Sequence, residues 1–263
     1  MHCLNSIASL APLTGLLVLA LWVTPTTAES PRVQPPAEDA SSGPKSFRVV
    51  IQIFEGDSNS VVAEHLILFH DGVFYDLDNV GKDIVTIYDP MRQRVVLLDH
   101  ATKVRATVGT NDLTKMTAEL RANASTKQLK DRLGMSASVA HDAESNQYTI
   151  AYGTVQYTTT VQTPDSPAAA LQFGQFADWA SRLNIARKRG LPPFGRMSLN
   201  QRIASDGQIP QELKLVFKQG GDTSSYRSTH QLTQGLTKSD REEIKKLTGM
   251  LALYGEVPLK EFP

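Results

Sequence analysis

The sequence predicts an α+β domain in which helices pack on a curved, open antiparallel sheet that resembles a half-barrel-like meander. Six short strand patterns, separated by turn residues, follow one another between residues 47 and 108. Helical periodicity starts only after them, near residue 112. The helices lie between or after runs of strands instead of alternating with each strand, which excludes a doubly wound parallel sheet.

Composition supports a packed core and excludes several functional classes. The 263 residues include 27 Lys and Arg against 27 Asp and Glu, so the formal net charge is zero. A general nucleic-acid-binding protein usually carries a basic excess, so no nucleic-acid partner is expected. The apolar content of 41% is typical of a folded chain, and a single cysteine excludes a disulfide scaffold.

The first 28 residues predict an export signal. They contain no Asp, Glu, Lys or Arg, and an apolar run from Leu10 to Val23 precedes Thr24-Pro-Thr-Thr-Ala28. Small residues at Thr26 and Ala28 suit signal-peptidase cleavage after Ala28. We therefore expect an extracytoplasmic protein, either periplasmic or secreted. The alternative is an uncleaved anchor, which would be the only contact with the membrane, although the run is short for a span of about 20 residues.

Residues 29–45 predict a disordered linker, and residues 46–263 predict a single α+β domain. The linker is rich in Pro, Ser and acidic residues and has no apolar period. Cys3 precedes the apolar run, so it is misplaced for acylation as a bacterial lipoprotein. If the signal is removed, the mature protein contains no cysteine.

The first half of the domain predicts the meander. Its strand patterns cover residues 47–53, 61–69, 73–77, 84–88, 94–98 and 104–108. Asp71-Gly72 predicts a tight hairpin turn because both residues tolerate positive φ. Asp89-Pro90 predicts another turn, since proline fixes φ at its second position.

The second half predicts helices and two hairpins. Leucine spacing indicates helix across 112–135 with a break near Asn123-Ala-Ser125. Leu191-Pro-Pro-Phe-Gly195 is expected to interrupt the chain. Ser239-Asp-Arg-Glu242 resembles a capping box that opens a helix through Leu251. The remaining expected elements are hairpins at 148–159 and 213–232, with a turn at Gly220-Gly221, and helices at 168–186 and 197–204.

No metal or cofactor site is predicted. His65 and His70 are five residues apart on one strand, so they point to opposite faces and cannot share a metal ion. Neither a phosphate-binding loop nor a dinucleotide-binding glycine motif is present. The segment Gly134-Met-Ser-Ala-Ser138 lacks the second glycine of a nucleophile elbow. We therefore predict no catalytic residue.

Several aspartates could still suggest a hydrolase. Most lie at strand ends or in loops, where aspartate stabilises turns; they are Asp71, Asp76, Asp78, Asp83, Asp89 and Asp99. Asp76 and Asp78 point the same way if their strand persists. The alternative to turn roles is a hydrolytic site around Asp71, Asp76 and His100.

Three aromatic residues mark the helix expected at 168–186. Phe173, Phe176 and Trp179 fall on neighbouring turns of this helix. One interpretation is a core helix packed on the sheet. The other is that these residues form part of the lining of an apolar ligand cavity between helix and sheet.

Two resemblances can be stated from these motifs. Asp71-Gly-Val-Phe-Tyr75, Thr86-Ile-Tyr-Asp-Pro90 and Val95-Val-Leu-Leu98 resemble, over residues 46–110, the central meander of bacterial lipoprotein-carrier proteins of the outer-membrane localisation system. That resemblance implies a curved half-barrel closed by helices and an apolar cavity that binds acyl chains. The whole chain, with residues 176–184 and Leu191-Pro-Pro-Phe194, more closely resembles exported bacterial proteins of unknown function.

The leading hypothesis is therefore a non-enzymatic exported envelope protein that binds an apolar or lipid-like ligand, or an envelope partner. The alternatives are the extracytoplasmic hydrolase and a structural envelope protein with no cavity. A helix–sheet interface that is fully packed would argue against ligand binding. A buried histidine–carboxylate pair in a cleft would favour an enzyme.

Overall fold

The computed structural model describes residues 46–80, 84–187, 190–219 and 221–263. The expected export signal, the expected linker, Asp83 and Gly220 lie outside the described residues. The described residues belong to a unit that spans Ala40–Pro263. Among them, no helix combines the length and apolar character that crossing a bilayer requires.

The described part of the chain forms one open sheet of twelve strands with five α-helices, which confirms an α+β fold built on an open, mostly antiparallel sheet. The strand order is β12-β6-β5-β4-β3-β2-β1-β11-β10-β9-β8-β7. Among the described strands, only the short edge strand β12 runs parallel to its neighbour. The strands are β1 (Ser46–Glu55), β2 (Val61–His70), β3 (Val73–Asp78), β4 (Ile84–Asp89), β5 (Arg94–Asp99), β6 (Val104–Gly109), β7 (Ala140–Asp142), β8 (Gln147–Tyr152), β9 (Val155–Gln162), β10 (Ile209–Gln219), β11 (Asp222–Gln234) and β12 (Gly255–Glu256).

The described helices all follow the six-stranded meander. They are α1 (Thr110–Asn123), α2 (Lys127–Arg132), α3 (Pro167–Ala186), α4 (Pro193–Ser205) and α5 (Lys238–Leu253), followed by a 3-10 turn at Leu259–Glu261. The six strands of the meander and the break after Asn123 are confirmed. The Asp71-Gly72 turn is confirmed too, with φ of 46° and 82°. The strands β7 and β12 carry too few residues for a pattern and were not predicted.

Two helix starts were predicted wrongly. Helix α4 begins at Pro193 and not at residue 197. Proline is tolerated at the first helical position because the N–H that it lacks would have no hydrogen-bond partner within the helix. The capping box of α5 is formed by Thr237 and Asp240, not by Ser239 and Glu242. The Thr237 hydroxyl accepts the Asp240 N–H at 3.1 Å, and the Asp240 carboxylate accepts the Thr237 N–H at 2.8 Å.

Strand alternation divides the sheet into two faces. One face, which we call the inner face, carries α3 and α4, and its core includes Phe47, Phe69 and Phe74. The other face packs Leu68, Val96 and Leu98 against α5. Because the meander is covered on both faces, its strands are apolar on both sides, as the pattern over 61–69 indicates.

Helix α4 approaches the sheet closely at a glycine. A Cβ atom added to Gly195 would overlap the ring of Tyr152 on β8. Gly174 of α3 likewise faces α4, where an added Cβ would lie 2.7 Å from the Cβ of Ala204. These two glycines allow α4 to lie in contact with both the sheet and α3. The close packing at Gly195 also sets the position of Arg196, the residue that follows it.

We predict that Gly195→Ala lowers the free energy of unfolding by about 1–3 kcal/mol, because the new methyl group forces Tyr152 or α4 to move. Gly249→Ala is the control: Gly249 lies in α5 with open space around it. There, alanine should raise stability by about 0.5–1 kcal/mol through helix propensity. Urea unfolding measures both, and an unchanged midpoint for Gly195→Ala would contradict the close approach.

Candidate functional site

A cavity of about 640 Å³ lies between the inner face of the sheet and helix α3. Most of its wall is aliphatic or aromatic, including Ile51, Ile53, Ile67, Ile84, Leu213 and Leu215 from the strands. The helix contributes small residues, Ala177 and Ala180, on the side that faces the sheet. The helix–sheet interface is therefore not fully packed.

The three aromatic residues predicted from the sequence all line this cavity. Phe173 and Phe176 are only 3% and 6% exposed, so they also belong to the core. Phe176 stacks on Phe74 with ring centroids 4.8 Å apart, and Trp179 lies 5.4 Å from the ring of Tyr88. The core and lining interpretations thus both describe this helix. Whether the cavity takes a ligand stays a prediction.

The cavity is open because several inner-face positions carry small or polar side chains. Thr86 of β4 and Ser228 of β11 line the cavity with small polar side chains. Asp76 and Asp78 of β3 also line it, which confirms that they share a face. Polar groups therefore interrupt an otherwise apolar wall, as in ligand pockets in general.

His65 and Asp76 form a charged pair in the cavity wall. Asp76 lies diagonally across from His65 on the neighbouring strand, and its carboxylate is 2.7 Å from His65 Nδ1. This hydrogen bond raises the pKa of His65 above 6.5, and it outweighs the opposing effect of burial. In the described residues no Ser, Thr or Cys side chain is hydrogen-bonded to His65, so the pair lacks an activated nucleophile.

Arg196 and His230 form a second polar group in the cavity wall. Arg196 follows Gly195 in the first turn of α4, and its guanidinium lies 5.7 Å from the ring of Tyr157. Burial lowers the pKa of Arg196. His230, on β11, is 5% exposed, and burial together with the charge of Arg196 lowers its pKa to about 3.

The structure does not bring together the proposed hydrolytic trio. Strands β3 and β5 run in the same direction, since both are antiparallel to β4. Asp71 precedes β3 and His100 follows β5, so they lie at opposite ends of six-residue strands, about 20 Å apart. His100 instead pairs with the Tyr254 hydroxyl at 2.8 Å. The prediction of a hydrolytic site formed by Asp71, Asp76 and His100 is therefore wrong.

Most of the described aspartates have the turn roles predicted for them. Asp78 accepts the backbone N–H of residue 80, Asp89 that of residue 92, and Asp99 those of residues 101 and 102. His65 lines the cavity, whereas His70 faces away from it and lies 3.7 Å from Asp71. Opposite orientation of the two histidines is therefore confirmed. Asp76 is the exception among these aspartates, because its carboxylate pairs with His65.

Sequence reasoning missed Arg196, His230 and the His65–Asp76 pair. The alternation of residues 224–232 places the side chains of His230 and Leu232 on the same side of the strand. The neighbours of His230 depend on the pairing of β11 with β1, in which His230 is opposite Ile51. Arg196 lies between the break expected at 191–195 and the helix expected from residue 197, and no role was predicted for it. No family model matches the chain, and no curated protein matches it.

We predict that His65 titrates above 6.5 and that Asp76→Asn lowers its pKa, because burial then acts without the carboxylate that opposes it. The raised folded-state pKa means that the pair adds stability below about pH 6.5 and that this stability is lost as pH rises through the folded pKa. The wild-type advantage over the variant, about 1 kcal/mol or less, should therefore shrink above neutral pH.

Proton NMR of the His65 ring and urea unfolding across the same pH range check this prediction. Asp78→Asn is the matched control, since Asp78 acts on His65 only through charge and as the smallest contribution. Equal pKa changes in the two variants would contradict the hydrogen bond as the main cause.

Proposed function

We propose that this chain is an extracytoplasmic, non-enzymatic protein that binds an apolar or lipid-like ligand in the cavity between α3 and the inner face of the sheet. The observation that carries the proposal is the cavity itself, about 640 Å³ with a mainly aliphatic and aromatic wall. Ligand pockets typically have volumes of about 300–1,000 Å³ and such walls. A structural envelope protein would have no need of this space.

The wall chemistry favours a hydrocarbon chain over a compact polar ligand. Ile51, Ile53 and Ile67 extend across two neighbouring strands, and Leu213 and Leu215 continue the apolar wall on β10. Each methylene group moved from water into such surroundings contributes about 0.8 kcal/mol. A chain of several methylene groups would therefore bind usefully even without a strong polar contact.

The polar groups in the cavity support binding over hydrolysis. The pair of His65 and Asp76 is a histidine–carboxylate pair in a cleft, the observation that would favour an enzyme. Acyl transfer also needs a nucleophile beside the histidine, and the described residues supply none with a hydrogen bond to His65. The pair is better suited to orient a ligand or to hold β2 and β3 together.

The expected export signal and the resemblance to lipoprotein carriers agree with this proposal. In those carriers, a half-barrel closed by helices is expected to enclose acyl chains, and here an open antiparallel sheet carries helices over an apolar cavity. We extend the proposal to a periplasmic or secreted location and to possible exchange of the ligand with an envelope protein or membrane.

We predict that Ala180→Phe weakens binding of a dansyl-labelled fatty acid by about tenfold or more, equivalent to about 1.4 kcal/mol, because the new ring fills the cavity. The matched control is Leu171→Phe, which adds a ring to an exposed position of the same helix outside the cavity. Probe fluorescence and energy transfer from Trp179 report the binding.

Native mass spectrometry of the protein purified from its own envelope provides the second readout. Co-purified lipid in the wild type, lost in Ala180→Phe but retained in Leu171→Phe, supports the proposal. A clean apo mass, together with no saturable binding of the dansyl probe, would overturn it.

A further inference from the structure

We propose that Arg196 and His230 form an anion-binding subsite that holds the carboxylate or phosphate head group of the ligand. This inference rests on the proposed function and deepens it, because it specifies the polar end of a ligand whose chain the apolar wall accommodates. The ligand class is then an anionic amphiphile with an acyl or alkyl chain.

The first observation is a half-buried cation with a buried Nη1 atom that has no hydrogen-bond partner. Arg196 lines the cavity, and its Nη1 atom is buried with no hydrogen-bond partner. Among the described residues, no carboxylate lies within 4.0 Å of its guanidinium as an ion pair. A buried charge without a partner is strongly unfavourable, so such a group is usually paired or binds a ligand.

Asp178 carries the opposite charge, but it does not provide a hydrogen-bond acceptor for the Nη1 atom of Arg196. Asp178 interacts electrostatically with Arg196, but its carboxylate accepts a hydrogen bond from Asn200 at 2.9 Å instead. Burial raises the pKa of Asp178 to about 6, so the carboxylate is mostly ionised at pH 7 and balances the charge of Arg196 only from a distance. Asp178 lines a groove between α1, α3 and α4 and is not part of the cavity wall.

The second observation is an unsatisfied histidine beside the same space. His230 also lines the cavity, and its Nδ1 atom is buried without a partner. The ring interacts with the backbone of Gln211, which leaves Nδ1 as the nitrogen without a hydrogen bond. The depressed pKa keeps the ring neutral at pH 7, so Nδ1 can accept a hydrogen bond from a ligand O–H.

Arg196 and His230 together determine which ligand head group the subsite can bind. The Arg196 guanidinium donates to anionic oxygens, and Arg is well suited to the planar carboxylate and to phosphate. Neutral His230 adds no charge. Its Nδ1 can accept from the O–H of a singly protonated phosphate monoester, whereas a carboxylate has no such proton and would be held by Arg196 alone. The subsite therefore carries one positive charge and fits a singly charged anion.

The experiment compares ligands that share one chain and differ in the head group. Laurate, monododecyl phosphate and dodecanol are titrated into the full chain by displacement of the dansyl fatty acid at fixed salt. We expect laurate or monododecyl phosphate to bind about tenfold or more tightly than dodecanol. Arg196→Met should abolish this preference, so that laurate, monododecyl phosphate and dodecanol bind within about twofold of one another.

Stability of the apo protein separates a ligand-binding role from a structural one. A guanidinium that lacks a partner destabilises the empty protein, so Arg196→Met should keep or raise the urea midpoint. Arg196→Lys, which retains the charge, should keep part of the preference for anions. A large loss of stability in Arg196→Met would mean that Arg196 is a structural residue, and it would overturn the subsite.

Other outcomes divide cleanly between the two proposals. Equal binding of laurate, monododecyl phosphate and dodecanol by the wild type overturns the subsite but leaves ligand binding intact. No binding of any of them overturns the proposed function. Inorganic phosphate alone, if it binds as tightly as monododecyl phosphate and is lost in Arg196→Met, would show a free-anion site and overturn the assignment to a lipid head group.

Discussion

The incomplete contact between helix α3 and the inner face of the sheet is the feature on which the rest of the site depends. Phe173 and Phe176 bury themselves against the aromatic cluster that includes Phe74, and this anchors the helix. Beyond them the helix lines the cavity with Ala177 and Ala180, and the sheet lines it with Thr86 and Ser228 among other residues. Large residues hold the helix in place, while small residues next to them leave the space open.

A second close contact, between helix α4 and strand β8, positions the guanidinium of Arg196. Gly195 lets α4 begin directly against Tyr152, and Pro193 starts the helix two residues earlier. Arg196 is the next residue of α4, and it lines the cavity. The same glycine that allows dense packing between α4 and β8 therefore also directs a guanidinium toward the cavity, so packing and electrostatics are set by adjacent residues.

Much of the fold could be predicted because its signals are local. Strand alternation, the Asp71-Gly72 turn and the stripe of Phe173, Phe176 and Trp179 depend only on neighbouring residues. The site could be predicted only in its helical half. The His65–Asp76 contact depends on the pairing of β2 with β3, and the surroundings of His230 depend on partners far apart in sequence. The Pro193 start was missed because proline ends some helices and begins others.

The two polar groups of the cavity differ in how their charge is balanced, and this difference matters more than their shared location. His65, when protonated, is neutralised by Asp76 at 2.7 Å, so this pair makes no demand on a ligand. Arg196 has no such partner, and His230 remains neutral beside it. A ligand without a negative charge would leave the buried Nη1 atom of Arg196 without an acceptor, whereas an anionic amphiphile would pair with the guanidinium and fill the apolar space at the same time.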